Sequence, residues 1–387
     1  MRSLILCILL GQALHAKDSQ SQLRWLWAGI SPLEHRDHQP EEPAQSRVGS
    51  PLQNPENVRE RVTLFFHRLS GPLALIQNEV RRPPRTDPRR IHDPSTLRTE
   101  GDHTYFISTG RGLPVVKENA RGEWLHAGRI FSEDQLPAWH RELVPGNTGH
   151  LWAPDVIKLG ETYFLYYSVS TFGSQISAIG LATGKSLDPD SPDWAWKDRG
   201  PVITSSKNDP YNAIDPAIFR DDDGSLWMSY GSFWKGIYLT PLDPKTGLLL
   251  DRKAAPVHLA SAAEIEAPFI HKRNGFYYLF LNHGLCCRGV NSTYEIRVGR
   301  SKSLAGPYLD REGKDLRNGG GTLLMESEGD HIGPGHPSIT TRNGREYLAH
   351  HFYDGAERGQ SRFALAPLTW EENWPKIAAS GDPQDEK

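Results

Sequence analysis

Ala213-Ile214-Asp215-Pro216-Ala217, followed by the turn signal Asp223-Gly224 and then Trp227, is one copy of a pattern that occurs five times along this chain. The other copies begin at Ile91-His92-Asp93-Pro94-Ser95, Leu151-Trp152-Ala153-Pro154-Asp155, Ile265-Glu266-Ala267-Pro268-Phe269 and Pro334-Gly335-His336-Pro337-Ser338. Each proline opens a short apolar run, and an aromatic residue lies 9 to 11 positions beyond it: Tyr105, Tyr163, Trp227, Tyr277 and Tyr347. Asp223-Gly224, Asn274-Gly275 and Asn343-Gly344 offer the positive φ that tight hairpin turns require. The prolines stand 52 to 69 residues apart, room for one four-stranded blade and its loops. A fixed internal period marks a repeat architecture. Five hairpin-bearing copies predict an all-β chain folded as a five-bladed β-propeller.

That geometry decides where chemistry can sit. The first strand of each blade lines the central channel, and proline is tolerated at the start of a strand, where its missing N–H costs no ladder bond. The residues just before the five prolines therefore form a ring of Asp93, Trp152 with Ala153, Asp215, Glu266 and His336. Three carboxylates, an imidazole and an indole around one pocket suit a site that grips a neutral polyol and moves protons across it. Taken alone, Asp93 or Asp215 is a common turn opener; their equivalent places in the repeat favour catalysis. Glu266 is flanked by Ile265, Ala267, Pro268 and Phe269, surroundings that raise a carboxyl pKa and suit a general acid, although a buried Glu paired with a base has the same neighbours. Trp152 reads either as core or as a sugar-stacking platform. His336 reads as a structural histidine or as a ligand.

The rest of the chain bounds the alternatives. The 387 residues include 36 Gly, 29 Pro and 11 Trp, a mixture that favours short strands and tight turns. With 44 basic against 47 acidic residues and a net charge of −3, there is no electrostatic footprint for nucleic acid or an anionic membrane. The ligand is expected to be uncharged. Residues 1–16 read as a secretory signal peptide, with Arg2, the apolar run Leu4–Leu10 and the small-residue exit ending at Ala16. Export to the extracellular space or periplasm is expected, and a monomer. Residues 17–84 read as an N-terminal extension of unknown role, 85–375 as the propeller and 376–387 as a C-terminal tail. Without Cys7, only the adjacent Cys286 and Cys287 remain, which is no disulfide framework. The pair reads as two thiols or a strained vicinal disulfide, the latter slightly favoured by export. No His-Glu-x-x-His, Gly-x-Ser-x-Gly or Walker motif is present.

Further stretches sharpen the reading: Gly149-His150-Leu151-Trp152-Ala153-Pro154-Asp155, Tyr166-Tyr167-Ser168-Val169-Ser170-Thr171-Phe172-Gly173-Ser174, Tyr230-Gly231-Ser232-Phe233-Trp234 and Cys286-Cys287-Arg288-Gly289-Val290-Asn291-Ser292-Thr293-Tyr294. With Ile91-His92-Asp93-Pro94, Asn212-Ala213-Ile214-Asp215-Pro216, Ile265-Glu266-Ala267-Pro268 and Gly333-Pro334-Gly335-His336, they make residues 90 to 370 resemble glycoside hydrolase family 43, and within it the arabinan endo-1,5-α-L-arabinosidases. The resemblance implies a general base at Asp93, a general acid at Glu266, and Asp215 as the residue that orients the acid and tunes its pKa. It implies sugar contacts from Asp93, Trp152, Phe172, Gly173, Asn212, Ser232 and Phe233, and a calcium ion near His336 held largely through water. The implied reaction is inverting cleavage of internal α-1,5-L-arabinofuranosidic linkages in arabinan, the side chain of pectin. An exo-acting α-L-arabinofuranosidase or β-xylosidase of the same family, and a sugar-binding propeller without catalysis, are the alternatives. Retention of all three carboxylates argues against the last.

Overall fold

Alternation along the second strand of each repeat governs how this chain packs. In His103–Ile107, Tyr105 and Ile107 enter one apolar cluster and Phe106 another; in Phe276–His283, Leu279 and Leu281 part in the same way from Tyr278 and Phe280. A strand points successive side chains to opposite faces, so every sheet has two apolar faces and must be sandwiched between neighbours. A closed ring of sheets meets that demand without an exposed face.

The structure, a computed structural model, describes residues 90–378. The proposed signal peptide and the extension over 17–84 lie outside the described residues. Each blade is a four-stranded antiparallel unit in which the strands follow one another in sequence. Blade one comprises Arg98–Glu100, His103–Ile107, Pro114–Glu118 and Trp124–Arg129. Blade two comprises His150–Leu159, Thr162–Val169, Ser177–Gly184 and Lys197–Ser205, with the two-residue strand Gly110–Arg111 added to its inner edge. Blade three comprises Ala217–Arg220, Leu226–Tyr230, Ile237–Leu242 and Val257–Ala260. Blade four comprises Ile265–Arg273, Phe276–His283, Glu295–Ser301 and Thr322–Met325, and blade five His331–Arg342, Arg345–Asp354, Gln360–Glu371 and Trp374–Ile377. The five-bladed β-propeller expected from the repeat is the fold observed. The last strand ends at Ile377, two residues beyond the boundary expected at 375. No helix among the described residues is long and apolar enough to cross a membrane.

The five aromatic markers of the repeat all lie on second strands, paired with first strands as Arg98↔Tyr105, Lys158↔Tyr163, Phe219↔Trp227, Lys272↔Tyr277 and Thr340↔Tyr347. Asn274-Gly275 and Asn343-Gly344 both have positive φ at the two turn positions, the geometry of a type I′ turn. The apolar core is accordingly divided into five layers, one between each pair of adjacent blades. Asp155 ties three blades together: one carboxylate oxygen accepts from the Thr96 N–H at 3.1 Å and the other from the Ile218 N–H at 2.7 Å.

Among the described residues no strand is exchanged between the first and last blades, and side chains together with one backbone bond close the ring. Phe106 stacks on Phe363 with ring centroids 4.5 Å apart, Trp124 meets the same ring edge-on, and Arg342 forks onto both carboxylate oxygens of Glu118 at 2.7 and 2.8 Å. The Ile91 N–H reaches the Ser361 carbonyl at 3.2 Å. This brings Asp93, just beyond Ile91, against the fifth blade.

Candidate active site

Each repeat bends at the residue before its proline. All five of these residues, Asp93, Ala153, Asp215, Ala267 and His336, have φ between 44° and 59°. Left-handed backbone costs a non-glycine residue about 1–3 kcal/mol and persists only where its surroundings hold it. Here the holding is done by side chains. The N–H of Asp93 donates to His351 Nδ1 (3.2 Å), Ala153 to Thr109 Oγ1 (2.8 Å), Asp215 to Ser168 Oγ (2.9 Å), Ala267 to Asp215 Oδ2 (3.1 Å) and His336 to Asn282 Oδ1 (2.8 Å). Each acceptor belongs to the preceding blade around the ring, so every blade clasps the next at the channel. Register shifts in the inner strands at Trp152/Asp155, Glu266/Phe269 and Gly335/Ser338 accompany the bend.

Asp93 sits in a cage of histidines. His92 Nδ1 lies 2.9 Å from Oδ2, while His351 Nδ1 and His336 Nδ1 lie 3.4 and 3.6 Å from Oδ1. Thr109 Oγ1 donates to Oδ2 at 2.6 Å. Burial pushes the Asp93 carboxyl up, but His92 above all, then His336 and His351, hold it well below the usual carboxylate range. Burial alone would lower His92; the charge of Asp93 and its hydrogen bond instead raise it well above an ordinary imidazole. His336 and His351 are lowered by burial and stay neutral. Asp93 is thus an ionised acceptor beside one cationic imidazole.

Glu266 has the opposite surroundings. It is buried, and burial pushes its carboxyl up to about 7 against hydrogen bonds from Tyr294 and Ser232, with the charges of Cys287 and Asp93 adding to the rise. Tyr294 donates to Oε1, and Ser232 Oγ donates to Oε2 at 2.8 Å. Asp215 is raised well above an ordinary carboxyl by burial, then by the charges of Glu266 and Asp93. Asp215 and Glu266 together keep a proton to higher pH than a solvated carboxyl does. The bond from Ala267 N–H to Asp215 Oδ2 also fixes the backbone next to Glu266. The ring therefore sets a carboxylate against a carboxylic acid, the pair that acid–base hydrolysis needs.

The expected sugar contacts divide into two groups. Phe172 is 66% exposed and its ring centroid lies 5.1 Å from that of half-buried Trp152, whose Nε1 donates to His150 Nδ1 at 2.9 Å. An aromatic pair of this kind, one ring exposed and the other half-buried, offers ring faces for sugar stacking. Gly173 beside it has φ of 69°. Asn212 is buried and its Oδ1 has no hydrogen-bond partner among the described residues. Phe233, at φ 49°, anchors its loop through its N–H to the Ile265 carbonyl at 2.7 Å. Ser232 has a second role beside the expected one: its hydroxyl proton goes to Glu266, which makes it a support of the acid. Cys286 and Cys287 are thiols and not the vicinal disulfide favoured by export. The Cys287 N–H donates to the Tyr353 hydroxyl at 2.7 Å, and that oxygen lies 2.8 Å from His92 Nε2.

The donor set around His336 does not build a cage for calcium, which takes six to eight oxygen ligands. The nearby side chains offer imidazole nitrogen and the carboxylate of Asp93, whose Oδ2 is already engaged by His92 and Thr109. His92, Asp93 and His351 bring three ligand atoms within 4.8 Å of one another. Water-mediated holding beside His336 remains compatible with these residues.

Four residues of the site carried no assigned role in the sequence: His92, Thr109, Tyr294 and His351. Tyr294 and His92 stand inside stretches quoted above, whereas Thr109 follows the second strand of blade one and His351 lies within that of blade five, which reaches Asp93 only when the ring closes.

Residues 87–375 match the family described as Glycosyl hydrolases family 43. The chain is 42% identical over 301 residues, 74% of its own length and 86% of the other's, to the extracellular exo-α-(1→5)-L-arabinofuranosidase ArbA of Cellvibrio japonicus. It is 41% identical over 293 residues, 74% of its length and 87% of the other's, to the extracellular endo-α-(1→5)-L-arabinanase 1 of Bacillus subtilis. Among solved structures, the Cellvibrio cellulosa α-L-arabinanase complexed with arabinohexaose superposes with a TM-score of 0.71 at 39% identity, covering 75% of this chain and 95% of that one.

Proposed function

This chain belongs to glycosyl hydrolases family 43, and from that premise we propose that it cleaves internal α-1,5-L-arabinofuranosidic linkages of arabinan with inversion, as an exported monomeric enzyme. The carrying observation is the opposed surroundings of two carboxyls on one ring: part-buried Asp93 lies within 2.9 to 3.6 Å of three histidines that hold it ionised, and buried Glu266 is pushed up to about 7. Asp93 takes a proton from a water as that water attacks the anomeric carbon. Glu266 gives its proton to the departing glycosidic oxygen, and the transition state between them has oxocarbenium-ion character. Asp215, whose Oδ2 accepts the Ala267 N–H, holds the backbone beside Glu266 and, when ionised, favours the protonated form of the acid. Trp152 and Phe172 stack against sugar rings, Gly173 and Phe233 shape the walls, and a sugar hydroxyl satisfies Asn212 Oδ1.

An endo enzyme given debranched arabinan releases a ladder of oligosaccharides before arabinose accumulates. Arabinose as the sole early product would instead support the exo reading, which the 42% identity to the Cellvibrio japonicus exo-enzyme favours. Chromatography of products from the first few per cent of reaction separates the two. No release of sugar at all would favour the sugar-binding propeller.

A divalent cation beside His336 would add fixed positive charge near the channel and hold ordered water there. His336 would carry it with water as the remaining ligands. Exhaustive chelation and His336→Ala are each expected to lower activity, and calcium is expected to restore the chelated enzyme. Full activity after both treatments would remove the cation from the site.

A further inference from the structure

We infer that Thr109 is a positioning residue for the base, a role that rests on reading Asp93 as that base. Thr109 follows the second strand of blade one, and its hydroxyl has one proton and two lone pairs. The direction of that proton is fixed by its partners. Ala153 N–H, at 2.8 Å, is a donor and takes a lone pair, so the proton goes to Asp93 Oδ2 at 2.6 Å. The Thr109 N–H meanwhile donates to the His92 carbonyl at 2.9 Å. One residue thereby ties the backbone before Asp93, the carboxylate of Asp93 and the inner strand of blade two.

The consequence is a division of labour between the two oxygens of Asp93. Oδ2 receives Thr109 at 2.6 Å and His92 at 2.9 Å and is saturated. The nearest imidazole nitrogens to Oδ1, Nδ1 of His351 and of His336, lie at 3.4 and 3.6 Å, and His351 Nδ1 is already the acceptor of the Asp93 N–H. Oδ1 is therefore the atom presented to the attacking water. Ser168 and Asn282 hold corresponding places in blades two and four, each accepting the N–H of the next blade's bend. Among the described residues, Thr109 is the one of the three that also donates to a carboxylate.

Thr109→Val keeps the shape and loses the hydroxyl; Thr109→Ser keeps the hydroxyl and loses a methyl. Removing a hydrogen bond to a charged group is expected to lower kcat about 10- to 100-fold, with KM unchanged. Because the base acts on every substrate, the loss should be the same for linear arabinan and for an activated aryl arabinofuranoside. Thr109→Ser should restore kcat. A Val variant with wild-type kcat, or a Ser variant as slow as Val, would overturn the role of Thr109. Thr109→Ala carries the same comparison if Val does not fold. Asp93→Asn, assayed alongside, separates the two levels: an active Asn variant removes the base and Thr109's role with it. An inactive Asn variant beside an unimpaired Val variant removes only the role of Thr109.

Discussion

Glu266→Gln is expected to slow hydrolysis of linear arabinan by about 10²- to 10⁴-fold, the usual worth of general-acid help, while an aryl arabinofuranoside with a good leaving group loses far less. The sugar leaving group of arabinan departs as a poor alkoxide unless protonated, whereas a nitrophenolate leaves without assistance. Glu266 is suited to the task because burial pushes its carboxyl up to about 7, even against the hydrogen bonds from Tyr294 and Ser232. The acid must hold its proton to work, so activity on arabinan should fall as pH rises through about 7. Asp93, held well below the usual carboxylate range, stays ionised at mildly acid pH and does not set the fall on that side. The Gln variant should lose the alkaline fall on the aryl substrate. Equal losses on both substrates would withdraw the acid's role from Glu266.

Asp93→Asn should be as damaging, about 10²- to 10⁴-fold, but without regard to leaving group. The base activates water in every turnover, whatever departs. Asparagine tolerates left-handed backbone better than most residues, so the φ of 46° at this position is compatible with the variant. The N–H to His351 Nδ1 is retained. A preserved melting temperature together with uniform loss of kcat on both substrates is the expected result. Loss confined to arabinan would mark Asp93 as serving the leaving group.

Much of this arrangement was legible because the repeat is local. Proline, turn and aromatic recur within a dozen residues, and each copy pairs its first strand with its own second strand as a hairpin. The bend was less legible. A residue before proline is ordinarily extended, yet all five such residues are left-handed, stabilised by side chains that lie across blade boundaries. Glu266 also stands one place earlier in its copy than Asp93 and Asp215 do in theirs, and a register shift between Glu266 and Phe269 in the inner strand lies beside it. The cage around Asp93 was hidden for a related reason. His351 and Tyr353 lie more than 250 residues away in sequence and meet His92 and Asp93 only when blade five closes on blade one. The bond from Ser232 to Glu266 was equally hidden, because proximity to the site does not reveal which partner takes a hydroxyl proton.

Asp93 and Glu266 stand in the first and fourth of five blades, with one blade between them around the closed ring. Inverting glycosidases keep their two carboxyls about 6.5–9.5 Å apart to seat a water, and retaining ones about 5–5.5 Å apart so that one attacks carbon. Asp93, with Oδ2 occupied by Thr109 and His92, is built to take a proton and not to form an ester. Proton NMR of the product of an α-linked arabino-oligosaccharide, recorded before mutarotation, should show the β-anomer first. Initial appearance of the α-anomer would demonstrate retention and make Asp93 a nucleophile.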